Sequence, residues 1–129
     1  MSGPFTFIGT YSIKSGKLEE TKKHLQELVD LVETNEPRLI AFNFYLDPQG
    51  NTLSCVQVHP DAASMEFHMK LLAEHIRDAF DYLEKTQSEQ VYGTPSDTLM
   101  EKLRDFGEPG VPLTFMPVHE VGFTRTNAR

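Results

Sequence analysis

The sequence predicts an α+β domain whose elements follow the order β-α-β-β-α-β, extended by one further helix and strand. Strand-like segments alternate with two long amphipathic helical patterns, and a hairpin signal separates two strands near the middle of the chain. With 129 residues, the chain has the size of one domain. We therefore predict a single folded unit over residues 1–129.

The first two elements are a strand and a helix. Residues 5–13, FTFIGTYSI, are rich in aromatic and β-branched side chains and lack helical spacing, which favours a strand. From residue 18 to residue 32, apolar side chains recur at spacings of three and four along one stripe, with Glu and Lys opposite. Pro37 follows this stripe, as is typical beyond a helix end.

A β-hairpin is predicted around residues 47–51, DPQGN, where Pro presets φ for a turn and Gly adopts positive φ easily. In its first arm Phe42 and Phe44 share one face, while Asn43 and Tyr45 share the other. Both faces are apolar enough to be covered, so the sheet is expected to have a partner on each side.

A second long helix is predicted after the hairpin. Asp61 is its expected cap, because a carboxylate accepts hydrogen bonds from the exposed amides of the first turn. The helical pattern runs to about Lys85, and residues 88–93 then resemble a short strand.

The last two elements are a short helix and a strand. Residues 94–97, TPSD, fit a capping box with Pro at the first helical position, and the helix would turn Leu99, Leu103 and Phe106 inward. Residues 111–124 alternate as a long final strand. Pro117 has no N–H to donate, which predicts an edge position or a bulge.

The first six elements match the split βαβ, or ferredoxin-like, arrangement: an antiparallel sheet with both helices on one face. The opposite face would then be bare. A homodimer in which two sheets pack face to face covers it most simply, and the last strand would reach across to the partner.

Composition excludes several function classes. The net charge of −7 argues against nucleic acid as a partner, because phosphate binding needs an excess of Lys and Arg. No apolar run approaches the length of a membrane span. Cys55 is the only cysteine, so no internal disulfide and no thiolate zinc cluster is expected. The beginning of the chain lacks a basic segment before an apolar one, so we expect a cytoplasmic protein.

Two histidines on the second helix are the first candidates for chemistry. His68 and His75 both border its apolar stripe, with Cα atoms ~10 Å apart at the helical rise, too far to share one metal ion comfortably. No metal site is predicted. Each is either a core-edge histidine with one ring nitrogen hydrogen-bonded or a group that points into a pocket.

Three segments resemble the antibiotic biosynthesis monooxygenase domain of the dimeric α+β barrel superfamily. They are SGKLEETKKHLQELVDLVETNEP, AFNFYLDPQGNTLSCVQVHPDAASMEFHM and VYGTPSDTLMEKL. The resemblance implies a ferredoxin-like protomer, a homodimer that forms a barrel, and a pocket between sheet and helices for a small apolar or aromatic ligand. Some members of that superfamily oxidise polycyclic phenols, anthrones or quinols with oxygen and no metal or bound flavin.

The leading hypothesis is therefore a monooxygenase of this type that needs no cofactor, with His68 as the general base for a quinol or polycyclic phenol. Candidate substrate-binding residues are Asn43, Tyr45, His75 and His119. Asn43 and Tyr45 would alternatively belong to the dimer face, and His119 to an apolar strand face.

Two further hypotheses stand beside it. One is a non-catalytic module that binds a small molecule or haem, and the other is a purely structural dimerisation domain. Haem degradation itself is disfavoured, because the haem-degrading branch uses an Asn, a Trp and an iron-ligating His, and this chain has no Trp.

Overall fold

The computed structural model describes residues 3–75, 81–106 and 110–125. Within these ranges the chain forms five strands and three helices in the predicted order. Their bounds are β1 Phe5–Ile13, α1 Leu18–Asn35, β2 Ala41–Leu46, β3 Thr52–His59, α2 Ala62–His75, β4 Leu83–Tyr92, α3 Asp97–Phe106 and β5 Leu113–Met116.

All five strands belong to one sheet with the order β2-β3-β1-β4-β5. The first four strands pair antiparallel, as the ferredoxin-like arrangement requires, whereas β5 pairs parallel to β4 and lies at the edge. The prediction of an α+β, ferredoxin-like chain with an added helix and strand is confirmed. The sheet is mixed rather than wholly antiparallel.

The two faces of the sheet differ in burial. Along β3, Leu53, Cys55, Gln57 and His59 are buried, and the residues between them are only half-buried. We call the first face the covered face and the second the open face. The core on the covered face joins side chains of β1, α2, β4 and α3, namely Phe5, Phe7, Met65, Met69, Val91 and Leu99.

The hairpin between β2 and β3 forms as predicted. Gly50 adopts a φ of +72°, and Asp47 Oδ1 accepts hydrogen bonds from the backbone N–H groups of Asn51 (2.8 Å) and Thr52 (2.9 Å). These bonds hold the pKa of Asp47 below its usual value.

The prediction for the second helix is wrong at its end. The described part of helix α2 is Ala62–His75, and Leu83–Tyr92 is a strand, so residues 83–85 are not helical as predicted. The reason is tertiary: β1 has a free edge opposite β3, and β4 pairs along it from Thr6 to Ile13 with two register shifts. Residues 76–80 lie outside the described ranges.

The last helix and strand also differ in detail. Ser96, not Thr94, caps α3, because its Oγ accepts from the backbone N–H of Leu99 at 3.1 Å. Leu99 is fully buried as predicted, while the side chain of Phe106 lies outside the described part. The final strand ends at Met116, so the prediction of a long strand is wrong; Pro117 has no N–H with which to extend the ladder.

Gly93 joins three strands at one corner of the sheet. Its φ is +112°, and its N–H donates to the carbonyl of Met116 at 3.0 Å, which ties β5 to the end of β4. A Cβ at this position would lie 2.6 Å from the backbone oxygen of Pro4, just before β1. Only glycine fits both the backbone conformation and this approach.

Candidate functional site

A histidine and a glutamate from different helices meet beneath the covered face. His68 lies in the middle of α2, and Glu36 directly follows α1, where its N–H donates to the carbonyl of Val32 at 2.9 Å. Glu36 Oε2 lies 2.7 Å from His68 Nδ1, and both side chains are almost wholly buried. The ring of Phe42 packs edge-on against the imidazole, with 5.1 Å between centroids. We call His68 and Glu36 the dyad.

Each member of the dyad keeps one polar atom unpaired. His68 Nε2 and Glu36 Oε1 are buried and have no hydrogen-bond partner among the described residues. Leaving a buried polar group unpaired costs about 1–3 kcal/mol, and more for a charged one. A ligand, a water molecule or an ion would remove this cost by pairing the two atoms.

The dyad has the arrangement of a general base. The carboxylate holds Nδ1 as the protonated ring nitrogen, which leaves the lone pair of Nε2 available to take a proton. The same carboxylate stabilises the imidazolium that then forms. Proton transfer is therefore the chemistry that these two residues suit best.

A second buried histidine lies beside the dyad with both nitrogens paired. His59 Nδ1 lies 2.7 Å from Ser64 Oγ, and its Nε2 lies 3.0 Å from Gln57 Oε1. The amide of Gln57 donates onward to Cys55 Sγ at 3.5 Å. We call Cys55, Gln57, His59 and Ser64 the His59 cluster. The rings of His59 and His68 are 5.7 Å apart.

Burial governs ionisation in the His59 cluster. Desolvation, followed by the nearby His68, lowers the pKa of His59 to about 3, so this imidazole is neutral at ordinary pH. Burial raises the pKa of the Cys55 thiol to about 12, which removes it as a nucleophile at neutral pH. The His59 cluster is thus a neutral, paired wall beside the dyad.

An ion pair between Arg38 and Asp61 lies near the His59 cluster. Arg38 Nη2 lies 2.5 Å from Asp61 Oδ2, while Asp61 Oδ1 accepts from the backbone N–H of Ser64 at 3.0 Å. Asp61 therefore caps α2, as predicted. Chiefly through the bond from Arg38, the pKa of Asp61 lies below its usual value. Arg38 is thus paired with this carboxylate through Nη2.

A cavity of about 310 Å³ adjoins the dyad between the end of α1 and the start of β2. Its volume is at the lower end for small-molecule sites. Glu36 and Phe42 belong to its wall, which links the cavity to the dyad. The complete lining is Val29, Val32, Glu33, Glu36, Pro37, Leu39, Ile40, Ala41 and Phe42.

Three of the other predicted site residues lie away from the dyad. Asn43 and Tyr45 are exposed on the open face, opposite His68, because their neighbours Phe42 and Phe44 point to the covered face. His119 is exposed in the segment after β5. His75 is the last described residue of α2, and its side chain lies outside the described part. Of the predicted site residues, His68 contacts two residues of the cavity wall, Glu36 and Phe42.

Two residues of the site were missed from the sequence. Glu36 continues the inward stripe of α1 through Val29 and Val32, so a carboxylate at an apolar position was the available signal. His59 alternates with Leu53, Cys55 and Gln57 along β3, which places it on the same face as they are. No group of three or more possible metal ligands occurs among the described residues.

Comparison with known proteins finds the fold but no close sequence. No family model matches the chain, and no curated protein matches it in sequence. MupZ from Pseudomonas fluorescens has a similar structure, with a TM-score of 0.78 at 19% identity over 98% of both chains. A structure named antibiotic biosynthesis monooxygenase gives a TM-score of 0.56 at 17% identity, over 67% of this chain and 92% of that one. This chain has the antibiotic biosynthesis monooxygenase fold.

The same fold recurs in PA3566 from Pseudomonas aeruginosa, with a TM-score of 0.55 at 21% identity over 70% of this chain and 91% of that one. The monooxygenase-like fold accounts for about two thirds of the chain in these shorter neighbours, whereas the match to MupZ covers nearly all of it. None of the described helices combines the length and apolar character that crossing a bilayer demands.

Proposed function

We propose that the protein is a monooxygenase that oxidises a quinol or polycyclic phenol with O2 and without a cofactor. The observation that carries this proposal is the buried Glu36–His68 dyad, in which Nε2 of His68 is unpaired. The fold shared with antibiotic biosynthesis monooxygenases supports the reaction class.

The dyad would start the reaction by removing a proton. Glu36 lines the cavity and His68 lies behind it, so a phenolic hydroxyl would have to pass Glu36 and Phe42 to give its proton to His68 Nε2. Glu36 would then stabilise the resulting imidazolium. The phenolate that remains is electron-rich and reduces O2. One oxygen atom enters the product and the other leaves as water, and the substrate supplies all the electrons.

Oxygen uptake by metal-free protein with hydroquinones and anthrones tests the proposal. His68→Gln keeps a donor for Glu36 but cannot accept a proton at neutral pH. We expect uptake that saturates with substrate, and a fall of at least tenfold in kcat/KM in this variant, or ~1.4 kcal/mol of transition-state stabilisation. His24→Ala, a partly exposed histidine on α1, is the control. Uptake equal to the buffer blank would contradict the proposal.

A non-catalytic binding module is the second candidate, and the same unpaired nitrogen favours it. A neutral imidazole nitrogen is a common ligand for iron as well as a base. A Soret shift on adding haemin that is lost in His68→Gln, without oxygen uptake, would favour this alternative over the enzyme.

We propose further that a second copy of the chain covers the open face. Tyr45 and Met116 are more than half exposed there, and burying such side chains is favourable. Asn43 and Tyr45 would then contact the partner. Light scattering on the full chain should give a dimer that Tyr45→Glu dissociates. Phe67→Glu, at an exposed apolar residue of α2, should leave the mass unchanged, and a monomeric wild type would refute the dimer.

A further inference from the structure

The cavity beside the dyad contains acidic but no basic side chains. Glu33 and Glu36 both belong to its wall, and the remaining lining residues are uncharged. Arg38 is next to Pro37 in sequence, but it does not line the cavity, and its guanidinium pairs with Asp61. An anion in this cavity would therefore meet two carboxylates and no basic lining residue.

The dyad reinforces this imbalance. With His68 neutral, the state in which it acts as a base, the dyad carries the charge of Glu36, and with His68 protonated its net charge is zero. Neither state is positive. Glu36 Oε1 is buried and lacks a donor among the described residues, so the group that fits it is a ligand O–H or N–H.

We infer that this cavity selects an uncharged aromatic molecule with a hydroxyl or amino donor and rejects carboxylates and phosphates, with Glu33 as a specificity-determining residue at its rim. This inference rests on the proposed function for the identity of the site. It goes beyond that function by fixing the charge of the ligand. Glu33 is exposed, so its contribution is screened by salt, whereas the buried Glu36 acts at short range.

A pair of probes that differ by one carboxylate tests the inference. Hydroquinone and 2,5-dihydroxybenzoate share the ring and both hydroxyls. Binding to the full chain is measured by NMR titration under argon, so that no turnover is required. We expect 2,5-dihydroxybenzoate to bind at least tenfold more weakly than hydroquinone.

The role of Glu33 is tested with matched variants of α1. Glu33→Gln should narrow the ratio of the two dissociation constants by about two- to fourfold at low salt, and the narrowing should disappear at high salt. Glu27→Gln removes the same charge from the same helix outside the cavity lining, and it should leave the ratio unchanged. Equal narrowing by both variants would overturn the role of Glu33.

Other outcomes separate this inference from the proposed function. Equal or tighter binding of 2,5-dihydroxybenzoate overturns the charge selection, even if hydroquinones are oxidised. Failure of hydroquinone itself to bind overturns the assignment of the cavity as the ligand site. Charge discrimination without oxygen uptake supports the inference and contradicts the monooxygenase.

Discussion

The dyad and the His59 cluster lie side by side but differ in whether their buried polar atoms are hydrogen-bonded. Each contains a buried histidine, and the two rings are 5.7 Å apart. Both nitrogens of His59 have hydrogen-bond partners, whereas His68 and Glu36 each keep an atom unpaired. Burial alone therefore does not distinguish a functional histidine from a structural one. The two sites differ in their hydrogen bonding instead, and an unpaired buried atom costs stability that a ligand, a water molecule or an ion would restore.

The largest expected effect comes from separating the members of the dyad. His68→Leu would leave the Glu36 carboxylate buried without a partner, and we expect the free energy of unfolding to fall by about 3–5 kcal/mol. The double variant Glu36→Leu/His68→Leu should recover most of this loss, because well-packed apolar residues replace a buried pair at little cost. Urea denaturation measures both. A double variant as unstable as the single one would mean that the dyad is a stabilising structural pair.

Acid should weaken the protein through His59. Its pKa is about 3 in the folded protein and about 6.5 in the unfolded chain, so between these values the unfolded state binds more protons. The contribution of neutral His59 to the free energy of unfolding is complete above pH ~6.5. It is lost as the pH falls towards 3, by about 1.4 kcal/mol per pH unit at most.

Denaturation between pH 7 and 4.5 measures this slope before the carboxyls with lowered pKa values, Asp47 and Asp61, begin to contribute. We expect a loss of about 2–3 kcal/mol over this interval. We expect His59→Gln to have a lower free energy of unfolding at pH 7 than the wild type. Its free energy of unfolding should also change less with pH over this interval. The same slope in His59→Gln would show that another group carries the proton.

The smallest expected effect concerns the hydroxyl that completes the His59 cluster. Ser64→Ala leaves His59 Nδ1 unpaired, and we expect a loss of about 1–2 kcal/mol in the free energy of unfolding. Ser54→Ala removes a hydroxyl that bonds Thr10 Oγ1 on the half-buried open face, and it should cost less than ~0.5 kcal/mol. Equal losses would mean that the buried hydrogen bond of Ser64 stabilises the protein no more than the half-buried hydrogen bond of Ser54.

The elements with local determinants were predictable from the sequence. The hairpin turn was, because Asp47 and Gly50 shape it through contacts within five residues along the chain. The length of β4 was not, because pairing with β1 decides that Leu83–Tyr92 is a strand, and no local pattern contains this information.

The candidate site also has one feature that the local sequence predicted and others that depend on tertiary contacts. The helical stripe of α2 indicated that His68 points inward. Its contact with Glu36 spans 32 residues of sequence and depends on how the end of α1 packs beside α2, which no spacing rule supplies. The sequence likewise does not say whether Asn43 and Tyr45 lie on the face that the helices cover, because both faces of β2 carry apolar residues.

The corner at Gly93 has a consequence for how the sequence can vary. Its backbone conformation excludes side chains, and the nearest obstacle is the carbonyl of Pro4, which no rotamer change can remove. In a library of all single substitutions, position 93 should therefore accept glycine alone. Because the same residue touches the start of β1 and holds the end of β5, selection at this one position protects three strands that are distant in sequence.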